Sequence, residues 1–188
     1  MNPGIIIGFL CIVQVVSGIP PTEAASDKLT LNQAVCGIGQ AFVDKYPETA
    51  GGVQTAAVAQ ALADFNGERR RHNARLRVIL DRADANKDGV FDMADVLAGK
   101  PHPVQNLDMY ILGSAFFGTY ADVGVDAETV AAGLKKCETL AADPNVITHL
   151  TEDSLFGMLD ATEDGIFNKE DLPVIFSEFI ARYGRGRQ

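Results

Sequence analysis

The segments Asp84-Ala85-Asn86-Lys87-Asp88-Gly89-Val90-Phe91-Asp92-Met93-Ala94-Asp95 and Asp160-Ala161-Thr162-Glu163-Asp164-Gly165-Ile166-Phe167-Asn168-Lys169-Glu170-Asp171 carry the same spacing of oxygen-bearing side chains. Each has Asp at its first position, Asn86 or Thr162 at the third, Asp at the fifth and Gly at the sixth. A β-branched aliphatic, a Phe, then Asp92 or Asn168, and a closing Asp follow at matching places. A hard cation such as Ca2+ takes about six to eight oxygens at about 2.3–2.6 Å, and alternate residues of a tight loop deliver them. An Asp- and Gly-rich turn that only caps helices needs no such ligand set. Its appearance twice makes a calcium loop the leading expectation.

Outward from these loops the chain reads as helices. The pattern Leu76, Ile79, Leu80, Ala83 gives the segment before the first loop a buried face, over about residues 68–83. After the loop, Val96 and Leu97 belong to a short helix closed by Gly99 and Pro101. Further upstream, Thr30 caps a helix answered by Gln33, with Leu31, Val35, Ile38 and Phe42 as its stripe and Cys36 on its flank. Pro47 and Gly51-Gly52 end it, and an Ala-rich helix follows over about residues 54–65. Downstream, a helix rich in aromatics covers about residues 106–120. Asp126 caps the next, with Val125 and Val130 as a staple, and Thr151 caps the helix that enters the second loop, with Leu150 and Leu155 as its staple. The last helix carries Leu172, Ile175, Phe176, Phe179, Ile180 and Tyr183, with Pro173 tolerated near its start. The fold class expected is all-α, two lobes of paired helix–loop–helix units with about eight helices.

Two such loops between amphipathic helices resemble the EF-hand calcium-binding superfamily. The resemblance implies pairing, with the ligand loops as second and fourth hands and degenerate first and third hands beginning near Tyr46 and Gly118. In the first of these, Gly51 stands at the sixth position and Val53 at the eighth; in the other, Val125 stands at the eighth. By the same resemblance Asp84, Asn86, Asp88, Asp92 and Asp95 supply side-chain oxygens and Val90 its carbonyl. In the second loop the roles fall to Asp160, Thr162, Asp164, Asn168 and Asp171, with Ile166 giving its carbonyl. Phe91 and Phe167 are implied to pack inward and bridge to the neighbouring loops near Val53 and Val125. The family closes its loop with Glu, which chelates through two oxygens. Asp95 and Asp171 are one methylene shorter, which weakens the sites and lets Mg2+ compete with the two Ca2+ ions. The first loop, with four carboxylate ligands, ranks above the second, in which Thr162 is neutral. Dockerin loops also end in Asp, but they lie closer together and lack full entering helices.

The rest of the sequence sets the surroundings. Residues 1–18 read as a signal peptide, with the apolar run from Ile5 to Val16 and Val16-Ser17-Gly18 as the cleavage site. The run is shorter than the roughly 20 residues of a membrane span. Residues 19–28 form a lead-in, 29–100 the first pair of hands, 101–104 a linker around Pro101-His102-Pro103, 105–184 the second pair and 185–188 a tail. Loss of Cys11 with the signal leaves Cys36 and Cys137, an even count that an oxidising compartment joins as a disulfide. The formal net charge of −9 over 188 residues excludes non-specific nucleic-acid binding and suits a partner of cations. The run Glu68-Arg69-Arg70-Arg71-His72 with Arg75 and Arg77 reads as a solvated face, or as a dock for an acidic glycan.

His72, His102 and His149 lack paired metal spacing, and no nucleophile or phosphate-loop signature stands out, so no enzyme is expected. Three functions share the fold: a secreted calcium buffer, carrier or matrix component; a calcium-dependent interaction module for an extracellular protein or glycan; and a carrier of an apolar molecule lined by Met109, Tyr110, Phe116 and Phe117. The first is preferred, because modules that open expose Met-rich grooves and this chain has Met93, Met109 and Met158 beyond its initiator.

Overall fold

A computed structural model describes residues 29–66, 69–92, 94–95, 106–138 and 147–183. The expected signal peptide, lead-in, linker and tail lie outside these residues, as do Val96, Leu97 and Gly99 of the helix leaving the first loop and the side chains of Thr30, Leu31, Met109, Leu150, Phe179, Ile180 and Tyr183.

The fold is all-α. The helices are α1 (Leu31–Lys45), α2 (Thr55–Asn66), α3 (Arg69–Ala83), α4 (Asn106–Thr119), α5 (Ala127–Lys136), α6 (Glu152–Leu159) and α7 (Asp171–Tyr183), with a 3-10 turn over Pro47–Gly51. Of the eighth expected helix only Ala94 and Asp95 fall among the described residues, and both are helical. Caps act where the sequence puts them. The Asp126 carboxylate accepts the Thr129 amide at the start of α5, and Thr151 and Ser154 cap each other's backbone at the start of α6.

Short strands tie the loops to the helices. β2 (Val53–Gln54) pairs antiparallel with β3 (Val90–Phe91), setting Val53 opposite Phe91. An isolated antiparallel bridge sets Val125 opposite Phe167. These are the four bridge residues named from the sequence. A further pair, β1 (Leu29–Thr30) with β4 (Ile147–Leu150), joins the residues before α1 to the segment before α6 and has no counterpart in the sequence expectations.

Both halves of the chain share one core. Phe42 of α1 meets Phe116, Phe117 and Phe167 edge to face at 5.2, 6.1 and 6.2 Å between ring centres, and all four rings are buried. The most extensive helix contact is α1 against α5, followed by α2 against α4. α1 and α5 approach closely enough that a Cβ on Gly133 would lie 2.1 Å from the Gly37 carbonyl oxygen. Cys36 and Cys137 form the expected disulfide at this interface, their Cα atoms 6.0 Å apart. Nearby, Gln33 Nε2 donates to the Glu138 carbonyl at 3.3 Å.

In the turn after α1 the left-handed residue is Gly52, at φ 69°. The 3-10 turn uses Gly51, and Gly52 then seats its backbone under the neighbouring loop, where a Cβ would lie 2.6 Å from the Phe91 carbonyl oxygen.

Candidate metal centre

The two twelve-residue loops fold to the same internal hydrogen-bond grid. In the first, Asp84 Oδ1 accepts the Asp88 amide at 3.1 Å and its Oδ2 the Gly89 amide at 3.0 Å. In the second, Asp160 accepts the Asp164 and Gly165 amides at 3.0 and 2.9 Å. Asp88 accepts the Val90 amide and Asp164 the Ile166 amide, both at 2.8 Å. Asp92 accepts the Ala94 amide at 2.7 Å, and Asn168 the Glu170 amide at 2.8 Å. The closing residues reach furthest. Asp95 accepts the Asn86 and Asp92 amides at 3.1 and 3.0 Å, and Asp171 accepts the Thr162 and Asn168 amides at 2.9 and 2.8 Å.

Local backbone chemistry produces this grid. Gly89 and Gly165 sit at φ 83° and 85°, where a Cβ is costly. Lys87 and Glu163 are also left-handed, at φ 61° and 58°, two residues earlier. Nothing in the sequence marks these two, since neither Lys nor Glu signals that conformation. Thr55 fastens the first loop from outside, its amide and hydroxyl both donating to the Gly89 carbonyl at 3.0 and 2.6 Å. Val90 and Ile166, named as carbonyl ligands, are half-buried beside the bridging phenylalanines.

Asp84, Asp95 and Asp171 are buried, Asp92, Asp160 and Asn168 half-buried, and Asn86, Asp88, Thr162 and Asp164 exposed. Position three is used differently in the two loops. Asn86 donates through Nδ2 to Asp88 at 2.9 Å, whereas the Thr162 hydroxyl donates to Asp171 Oδ1 at 2.9 Å. Burial raises the pKa of the Asp92 carboxyl, and repulsion from Asp88 and Asp84 adds to this against the amides of Ala94 and Asp95. Burial likewise raises Asp95, with the Asp84 charge adding to it, against the amides of Asp92, Asn86 and Ala85. The first loop therefore concentrates negative charge that its own hydrogen bonds only partly offset.

The donor set fits a hard divalent cation in kind, since every side chain concerned offers oxygen and none offers sulfur or imidazole. Among the described residues, no three His, Cys, Asp or Glu side chains already stand together as a metal cage. The carboxylate oxygens face loop amides; an ionised oxygen has two acceptor positions, and Asp171 Oδ1 uses both, for the Thr162 amide and the Thr162 hydroxyl.

Residues outside the loops have other roles. Phe116 and Phe117 are interlocked in the core, and Tyr110 stacks on Phe176 at 4.3 Å. Arg75 of the basic run is half-buried and ion-paired with Asp108, which is fully buried, so it is withdrawn from the solvated face. Arg77 pairs loosely with Asp81 at 3.9 Å on that face. Among the described residues no helix is long and apolar enough to cross a membrane.

No protein-family model, curated protein or solved structure matches this chain.

Proposed function

We propose that the chain is a secreted calcium-binding protein of the EF-hand type, acting as an extracellular buffer, carrier or matrix component with one Ca2+ in each twelve-residue loop. The observation that carries this reading is the duplicated grid: two segments of different sequence hold equivalent oxygens through equivalent amides. Asp84, Asn86, Asp88, Val90, Asp92 and Asp95 would hold one ion, and Asp160, Thr162, Asp164, Ile166, Asn168 and Asp171 the other. A bound cation would supply the positive charge that Asp92 and Asp95 lack. The hands that start near Tyr46 and Gly118 brace these loops through Val53 and Val125. The disulfide supports export, because such bonds persist in oxidising compartments. It also favours a buffer over a module that opens, since it ties α1 to the end of α5. Affinities of about 10⁻⁴–10⁻³ M suit extracellular calcium.

Native mass spectrometry of the disulfide-intact chain, titrated with Ca2+ and with Mg2+, tests the reading. Two Ca2+ ions per chain are expected; zero or four would overturn it. A large calcium-dependent rise in hydrophobic-dye fluorescence would favour the interaction module instead.

A further inference from the structure

We propose that the two ligand loops are coupled across the molecule by a reciprocal pair of tyrosines, Tyr46 and Tyr120, so that filling one loop changes the affinity of the other. This rests on the calcium reading above.

The connection can be followed atom by atom. Tyr120 Oη donates to the Gly52 carbonyl at 2.9 Å, and Tyr46 Oη donates to the Gly124 carbonyl at 3.1 Å. The Gly124 amide returns a bond to Tyr46 Oη at 3.3 Å. Each glycine immediately precedes a bridge residue, Val53 or Val125, and each is pressed against a ligand loop. A Cβ on Gly52 would lie 2.6 Å from the Phe91 carbonyl oxygen, and one on Gly124 would lie 2.6 Å from Ile166 Cγ2. Each tyrosine in turn ends a helix four residues after a core phenylalanine, Phe42 or Phe116, and those two rings touch. Thus Tyr46 reaches from the first half of the chain to the second loop's support, and Tyr120 reaches back to the first loop's support.

The result is a closed circuit. Displacement of Val90 and Phe91 moves Gly52, Gly52 holds the Tyr120 hydroxyl, and Tyr120 leads through residues 121–124 to Val125 and Phe167. The return path runs from Ile166 and Gly124 through Tyr46 and the 3-10 turn to Gly52. Burial, aided by the Glu48 charge, raises the Tyr120 pKa above its ordinary value. Coupling of this kind is reciprocal and typically about five-fold or more in affinity.

Calorimetric titration with CaCl2 of the disulfide-intact chain tests this in four proteins: wild type, Tyr46→Phe/Tyr120→Phe, Asp160→Asn, and the triple variant. Phenylalanine keeps the rings and removes only the hydroxyls. In the wild-type background Asp160→Asn should shift the first loop's affinity by about five-fold; in the Phe background the shift should vanish. An Asp160→Asn shift that is absent in wild type, or that persists unchanged without the hydroxyls, would overturn the coupling while leaving the calcium sites standing. No calcium uptake by the wild type would overturn both.

Amide exchange of the calcium-free protein gives a second reading, and each single variant suffices for it should the double variant fold poorly. Tyr120→Phe should speed exchange of the Val125 and Phe167 amides as well as those around Val53. Acceleration confined to residues near Gly52 would overturn the circuit.

Discussion

Replacing Gly133 with Ala tests the packing that holds the two halves together. An added Cβ would stand 2.1 Å from the Gly37 carbonyl oxygen and 2.9 Å from the Ala41 amide nitrogen. Relaxed carbon–oxygen contacts lie at about 3.3–3.6 Å, so α1 and α5 must part locally by roughly 1 Å. Both obstacles are backbone, so no side chain can swing aside. A gap of about 0.5–1 Å forfeits a quarter to a half of each affected dispersion contact, here around the crossing where Leu134 packs on Gly37 and Ala41 faces Gly133, Leu134 and Ala41 both being buried. Overpacking typically costs about 1–3 kcal/mol, and this site belongs at the upper end. The better helix propensity of Ala returns up to about 1 kcal/mol. A net loss of about 2 kcal/mol is expected, or roughly 4–8 °C in Tm for a chain of this size.

Gly157 provides the opposite case. It lies in α6 with nothing within 4 Å of an added Cβ, so Gly157→Ala should gain about 0.5–1 kcal/mol. Urea unfolding of both variants in EDTA, disulfide intact, measures the difference. If Gly133→Ala matches or exceeds wild-type stability, the close helix crossing is wrong.

Three further outcomes follow from the same geometry. Cys36→Ala/Cys137→Ala, or reduction of wild type, should cost roughly 2–5 kcal/mol in denaturant unfolding, because the bond spans a sequence separation of 101; reductant should then have no effect on the variant. The Thr129 hydroxyl, the Thr129 amide and Lys45 hold the Asp126 carboxyl below its ordinary pKa, so its capping of α5 is complete above the unfolded value of about 3.9 and is lost as pH falls through the folded value. NMR titration should show Thr129 amide protection falling only at acid pH, and Asp126→Asn should remove that dependence. Gly165→Ala meets no atom within 4 Å yet must hold φ 85°, so it should cost about 1–2 kcal/mol through backbone conformation alone and, on the proposed calcium reading, weaken the second loop's Ca2+ uptake in calorimetry.

Most helices were legible because they bury a stripe at helical spacing, α4 because its run of aromatic and aliphatic residues is buried on nearly every side, and two caps because Asp126 and Thr151 act on amides only three residues away. The Cys36–Cys137 bond was legible once Cys11 was set aside with the expected signal peptide. Features that depend on distant partners were not. Nothing local marks Leu29–Thr30 as a strand, since its partner lies near residue 150. Gly51 and Gly52 are equivalent as letters, and the Phe91 carbonyl decides which one turns left-handed. Gly37 and Gly133 look like weak points in two helices until the helices are laid together. Tyr46 and Tyr120 look like ordinary aromatic ends of apolar stripes, and their hydroxyl partners lie in the opposite half of the chain.

The closing aspartates gain a second meaning from the structure. From the sequence, Asp95 and Asp171 are short arms that weaken a chelate. In the fold, each accepts amides from the third and ninth positions of its own loop, so one carboxylate gathers both ends of the segment. On the proposed reading, a cation would meet a loop already curled by these amide bonds. Binding would then add contacts to the grid and shift the paired residues Val53–Phe91 and Val125–Phe167 together, without separating them. A curled loop, a closed disulfide and interlocked phenylalanines leave little room for a helix pair to swing open. On the proposed reading, these features favour a protein that holds calcium over one that opens a groove to report it.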